Sequence, residues 1–422
     1  MASKKRIAIV GAGISGLSTA FHLHKEYEIT VFEKENYFGG HTDTHELTID
    51  NENVRIDSGF IIFCPEYYPN FCSMLEQLKV EHQNTDMSFS AYNRMSGIVY
   101  NATNPNKLFC QRSNLFNRKF YRMIFDILRF YHTARNVLQT NDKKTTVSEY
   151  LKQKKYSQAF TDDHLLPMIS ALWSATPERV ADFPIYHLID FFSRHGLMQI
   201  LNRPQWKVLK NGSDSYVKAL RKQLDVTWKS GSAVTNISRT DKVSITTELG
   251  DSGQFDAVVL ALHADQALSI LDDPTNEERD ILSKIPFEKN HVVVHTDESI
   301  MHPNRQSWAS WNTEVPNDFD QNTQRVCTAN YWMNSLQNLS LKSNVFTSLN
   351  SHYKIDHSKI LIERIYYHPI FTASSVAAQQ KKHQIDGQHA TFYTGAYWGW
   401  GFHEDGARSA AEISQLIRAQ VK

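Results

Sequence analysis

Six residues near the start, Gly11-Ala12-Gly13-Ile14-Ser15-Gly16, have the types and spacing to hold a pyrophosphate. Gly11 allows a tight turn, Gly13 lets a phosphate approach the backbone, and Gly16 lets the following helix pack closely on the preceding strand. The surrounding sequence supplies the elements that such a loop needs. Ile7-Ala8-Ile9-Val10 is a continuous apolar run, as expected for a strand buried on both faces. Leu17 to Leu23 has helical spacing, and Glu28-Ile29-Thr30-Val31-Phe32-Glu33 reads as a second strand. Glu33 ends that strand, where a carboxylate can accept hydrogen bonds from a ribose. Phosphates would rest on the free N–H groups at the start of the helix. Strand, glycine loop, helix, strand and terminal acid together predict a dinucleotide-binding unit.

The rest of the chain bounds the chemistry. It has 422 residues, with 45 basic and 45 acidic side chains. That length predicts one large domain or two interleaved ones, and the neutral balance gives no whole-chain attraction to nucleic acid. Cys64, Cys72, Cys110 and Cys327 form no CxxC pair, so neither a zinc site, a redox dithiol nor a disulfide scaffold is expected. No HExxH spacing suggests a metal, and no second GxGxxG suggests a separate NADPH site. No apolar stretch reaches the roughly 18 residues of a membrane span. Aromatic residues, at 12%, are in excess and fit a large apolar cavity, a lipid-facing surface or a core rich in rings.

Four further stretches, in order, make the chain resemble the flavin amine oxidase and carotenoid desaturase superfamily. They are Gly39-Gly40-His41-Thr42 with Asp57-Ser58-Gly59-Phe60; Ser232-Ala233-Val234; Asp256 to Ala261; and Tyr393-Thr394-Gly395-Ala396 with Gly401 to Ala410. A narrower likeness, carried by Asp163 to Met168, Phe191 to Gly196, His291 to Asp297 and Trp308 to Asn312, is to bacterial amine-oxidase-like NAD/FAD-binding proteins associated with fatty-acyl modification. The resemblance implies an α/β architecture: a Rossmann-like FAD-binding domain with an inserted α+β substrate domain. It implies contacts to FAD from Gly11, Gly13, Ile14, Ser15, Gly16, Glu33 and Lys34, then from Gly39, Gly40, His41, Thr42, Gly59, Phe60 and Ile61. Late in the chain it adds Val234, Gly395, Phe402, His403 and Ala407. His41 stands where the superfamily usually has Arg, and Ala396-Tyr397 stands where many members have an acid for the ribityl chain. No cysteine follows Cys327, so FAD is expected to be held non-covalently.

This organisation is discontinuous. Segments 1–65, 205–285 and 386–422 are expected to build the FAD domain, and 66–204 with 286–385 the substrate domain. The first insertion reads as mostly helical from about residue 85, because apolar residues recur every three or four positions from Leu115 to Tyr131. The second reads as strands, with runs at Val292-Val293-Val294 and Ile360-Leu361-Ile362.

The family commonly places a lysine on a strand of the substrate domain, and His291 falls near that position, after Lys289 and Asn290. Tyr397 and Trp398, with Trp400, are expected to supply aromatic rings near the flavin. His291, Tyr397 and Trp398 are thus the catalytic candidates. The expected reaction is hydride transfer from a substrate C–H bond to flavin N5, on an apolar acyl or lipid-type substrate, by desaturation or double-bond isomerisation. An amine oxidase acting on a small amine or polyamine is the alternative, and a flavin-binding protein without turnover a third reading. Residues 112–135, rich in Arg and aromatic residues, are expected to touch a membrane peripherally, in a protein otherwise expected in the cytoplasm. A valine at Gly13 or Gly16 is expected to give poorly folded protein lacking its cofactor.

Overall fold

The computed structural model describes residues 4–140, 142–173, 180–199, 203–316 and 327–422. Residues 174–179 and 200–202 of the expected helical insertion lie outside the described residues.

Five parallel strands form the first sheet, in the order Thr227–Lys229, Glu28–Phe32, Arg6–Val10, Ala257–Leu260, Thr391–Tyr393. The alternation of the strands explains why both faces must be covered. Ile7 and Ile9 point into one cluster with Leu17, Ala20, Ile413 and Ile417, from helices Ile14–Leu23 and His403–Gln420. Ala8 and Val10 point into another, with Ile237 and Ile245 of a three-stranded antiparallel sheet and Leu282 beyond it. Strands far apart in the chain therefore meet side by side, and the sheet is complete only when Thr391–Tyr393 docks on Ala257–Leu260.

Arg239 and Glu278 fasten this second face. Their side chains are buried, at 1% and 0% exposure, and form two parallel bonds of 2.6 and 2.9 Å. Tyr393 donates its hydroxyl to the same carboxylate at 2.6 Å, tying in the last strand.

Seven strands form the second sheet, in the order Ile360–Pro369, Phe287–His295, Phe346–Leu349, Thr328–Trp332, Trp311–Val315, Phe89–Asn93, Ile98–Asn101. All pairs are antiparallel except Trp311–Val315 with Phe89–Asn93. The insertion expected to be mostly helical from about residue 85 opens instead with a hairpin, which joins the sheet of the second insertion. The helical part follows, and its helices Arg118–Thr133, Leu166–Trp173 and Ile185–Arg194 pack around Phe130, Phe160, Leu188 and Phe192.

Helix Pro69–Leu78 lies with the first sheet rather than with the insertion. Phe71, Met74 and Leu75 pack against the cluster that holds Leu17 and Tyr216. Its unpaired N-terminal N–H groups at Asn70 and Phe71 donate to Glu404, at 3.1 and 3.0 Å.

Glu278→Ala would leave Arg239 buried beside only the half-exposed Asp273, and we expect a loss of about 3–5 kcal/mol. A denaturant titration checks this. Leaving the midpoint unchanged would show that Asp273 alone compensates the guanidinium.

Candidate active site

A cavity of about 980 Å³ runs from the glycine loop to the inner face of the seven-stranded sheet. At one end the loop is shaped by contacts that only glycine permits. Gly11 has φ +98° and donates its N–H to Phe32 O at 2.8 Å. A Cβ on Gly16 would lie 1.9 Å from Gly11 O, so this position serves helix packing and does not reach the cavity. Gly13 is different, because a Cβ there would meet nothing within 4 Å, and the space above it is the cavity itself.

The double glycine folds back over this loop. Gly39 N donates to Ala12 O at 2.9 Å, and a Cβ on Gly40 would approach Gly13 Cα to 3.1 Å. His41 O then accepts from Phe60 N at 2.7 Å, which requires glycine at 59 because a Cβ there would lie 2.1 Å from the same oxygen. Gly39, Gly40, His41, Gly59, Phe60 and Ile61 consequently share one wall with Gly11, Gly13, Ile14 and Ser15.

Glu33 and Lys34 line the same end, as does Val234 at the start of its strand. The Glu33 carboxylate accepts from Ala12 N at 2.8 Å and from Glu35 N at 3.0 Å, so it fixes the glycine loop as well as facing the cavity. Burial raises its pKa above the usual carboxylate value despite those two bonds. Gly395, Phe402 and His403 complete the far wall. The His403 ring stacks on Phe60 at 3.5 Å and hydrogen-bonds Thr42 Oγ1 at 3.0 Å. Thr42 also meets the Tyr216 hydroxyl at 2.7 Å, so it holds His403 from behind and is not itself in the wall. Ala407 likewise lies behind the wall, buried in the cluster that contains Ile14.

The catalytic candidates separate. His291 is corrected: its side chain is 52% exposed, 3.8 Å from Glu363, and lies outside the cavity. The neighbouring Val292 faces inward, because successive side chains of a strand point to opposite faces. Tyr397 lines the cavity, with its buried hydroxyl unpartnered. Trp398 turns away into the core, where Lys382 lies 5.6 Å from its ring. Trp400 does reach the cavity.

Three residues not singled out above bring polar chemistry to the same space: Arg364, Tyr366 and His368, on strand Ile360–Pro369. Their alternation along the strand is the signal that could have marked them. Arg364 donates to Asp43 at 2.8 Å, Tyr366 donates to the same carboxylate at 3.1 Å, and Ser58 Oγ lies 2.6 Å from the Tyr366 hydroxyl. His368 lies 5.4 Å from the His41 ring, and His263 stacks on Phe287 at 4.2 Å. Burial holds these histidines neutral: His41 is pushed down to about 4, and His263 and His368 to about 3. His403 is also held well below its ordinary value by burial.

The family model for flavin-containing amine oxidoreductases matches residues 14–349. The chain belongs to that family. No curated protein sequence matches it closely enough to add a relative. Solved structures share its fold. A fatty acid isomerase from P. acnes matches at TM-score 0.69 and 16% identity, over 99% of each chain. Putrescine oxidase bound to putrescine matches at 0.70 and 12%, over 98% and 99%, and cyclohexylamine oxidase from Brevibacterium oxydans at 0.67 and 14%, over 98% and 100%.

The cofactor is FAD, and the residues fit it. The open cradle over Gly13 would take the pyrophosphate, and Glu33 would accept from the adenosine ribose. His41 Nε2 and Ser232 Oγ are buried in the wall without a partner, and both can hydrogen-bond a ligand. None of the four cysteines lines the cavity, so no thiol is placed to bond the ring.

The second and third glycines of the motif should now behave differently. Gly16→Val forces a clash with backbone and should fail to fold, whereas Gly13→Val should fold but purify without yellow colour; circular dichroism and flavin absorbance decide. Glu33→Gln puts an amide donor against one of two N–H groups and should weaken FAD binding by about 1.5–3 kcal/mol. Unchanged affinity in a flavin titration would remove Glu33 from the ribose. Acid should destabilise the fold, since below about pH 6.5 the unfolded histidines take up protons that the buried ones refuse down to about pH 4. Thermal midpoints should fall across that window, and less steeply in His368→Asn.

Proposed function

We propose that the protein acts on a long apolar substrate, an acyl or other lipid-type chain, which it desaturates or whose double bond it shifts. Bound FAD supplies the capacity to accept hydride from a substrate C–H bond. The chain's own residues bind the substrate, orient it and keep water out.

One observation carries this reading. The only carboxylates among the described residues of the cavity wall are Glu33 and Glu35, both at the ribose end. Towards the seven-stranded sheet the wall is Met87, Leu172, Val292, Trp311, Leu349 and Phe371, with their neighbours. A protonated amine would be desolvated there without a counter-charge, at a cost of several kcal/mol. An alkyl chain instead gains about 0.8 kcal/mol for each buried CH₂. The shared fold does not decide the matter, because the solved structures include both a fatty acid isomerase and amine oxidases. The composition of the wall favours the chain.

Anaerobic mixing tests the substrate class. Long-chain unsaturated acyl lipids should bleach the yellow protein or return as shifted isomers by mass spectrometry, while diamines should leave the colour intact. Bleaching by diamines alone would make it an amine oxidase, and no response to either would favour a flavin-binding protein without turnover.

A further inference from the structure

We infer that the outer face of helix Arg118–Thr133, with the turn Arg112–Phe116 before it, docks on an anionic lipid bilayer. The inference stands apart from the substrate reading and rests on a face that the fold leaves unused. Leu115, Phe116, Tyr121, Phe125 and Leu128 are exposed by 43%, 89%, 47%, 55% and 47%, and they cluster within one short stretch. The helix has two distinct sides. Phe120, Met123 and Phe130 are fully buried and supply its packing against the body of the protein. Arg118, Tyr121, Arg122, Phe125, Leu128 and Arg129 follow one another at three- and four-residue spacing on the other side. A helix whose inner face is already satisfied carries polar residues outside unless something covers it.

The outer rings are held in place. The Tyr121 hydroxyl donates to Leu115 O at 3.1 Å, joining helix to turn and leaving Phe116 as a fixed tip. Asn117 caps the helix by accepting from Lys119 N at 3.0 Å. The Arg122 guanidinium lies 5.5 Å from the Phe125 ring.

The charge identifies the partner. Asp126, the sole acid between residues 112 and 135, has a fully buried side chain paired with Arg122 at 3.2 Å and Arg129 at 2.9 Å. No negative charge of this segment therefore reaches its outer face. Arg129 donates to Lys155 O at 3.2 Å, which brings the exposed Lys152, Lys154 and Lys155 beside the helix. Residues 105–160 carry twelve Lys and Arg against three Asp and Glu, in a chain that is neutral as a whole. A neutral protein with one basic face is oriented by an anionic surface. Rings and a leucine set among those cations suit the headgroup and acyl boundary of a bilayer, where cations meet phosphates and apolar side chains leave water. A nucleic acid backbone would satisfy the cations but not Leu115 or Leu128.

Co-sedimentation of the flavin-loaded protein with vesicles tests this. Phosphatidylcholine vesicles containing phosphatidylglycerol should carry it down at low salt, and vesicles of phosphatidylcholine alone should not. Binding should weaken at least about tenfold in Arg118→Glu/Lys119→Glu, and similarly in Phe116→Ser/Phe125→Ser, with flavin content and thermal midpoint unchanged. In Phe116→Trp the new indole should shift its emission to the blue only with the anionic vesicles. Protein that stays in the supernatant at low salt overturns the inference. So does equal, salt-insensitive binding to both vesicles. A dimer in analytical ultracentrifugation that Phe116→Ser/Phe125→Ser dissociates, without vesicle binding, would assign the face to a second copy instead.

Discussion

Asp57 draws together chain segments that the sequence keeps far apart. Its carboxylate accepts from Thr44 Oγ1 at 2.5 Å, from Ser213 N and Oγ at 2.9 and 2.8 Å, and from Gln337 at 2.7 Å. Its own N–H donates back to Gln337 at 3.0 Å. A first-segment residue thus holds both the turn at which the chain returns to the cofactor domain and a short helix of the substrate domain. Burial pushes its pKa up to about 6, so the bonds form against a desolvation cost. The next two residues depend on this anchor. Ser58 reaches Tyr366 and His45, and Gly59 lets His41 sit against the cavity.

From that anchor the cavity can be polar at one end and apolar at the other without a break in packing. The glycine loop offers backbone groups, which recognise phosphate without contributing side-chain bulk. The sheet offers Val292, Trp311 and Leu349, whose strands are fixed in register by their neighbours. Between the two lies the strand bearing Arg364 and Tyr366, already committed to Asp43 and Ser58, and His368, 3.2 Å from the Asn290 amide. Polar groups that are bonded to one another before a ligand arrives need little reorganisation when it does.

Much of the cofactor end was legible in the sequence, because its requirements are local. A glycine that must let two backbones touch has few substitutes, and Gly11, Gly16, Gly39 and Gly59 each meet another main chain within 2.6 Å of a would-be Cβ. The substrate end was less legible, since which side of a strand faces inward depends on a parity that the family comparison did not supply. One residue separates exposed His291 from inward Val292. The hairpin Phe89 to Asn101 was hidden by the strong helical period that follows it, although Tyr92, Ile98, Val99 and Tyr100 around a Ser-Gly turn carry a strand signal. Asp57 appeared as part of a motif, but Gln337 as its partner could not, being 280 residues away.

The parallel pairing of Trp311–Val315 with Phe89–Asn93 has a consequence for how the chain is born. During synthesis the hairpin Phe89 to Asn101 emerges with one edge unpaired, and its partner strand follows only after more than two hundred further residues. The parallel sheet waits longer still, for Thr391–Tyr393. Contacts this distant in sequence close slowly, and an open apolar edge invites mispairing in the meantime. Neither sheet can therefore close before the chain is nearly complete, and its open edges must be kept from mispairing until then.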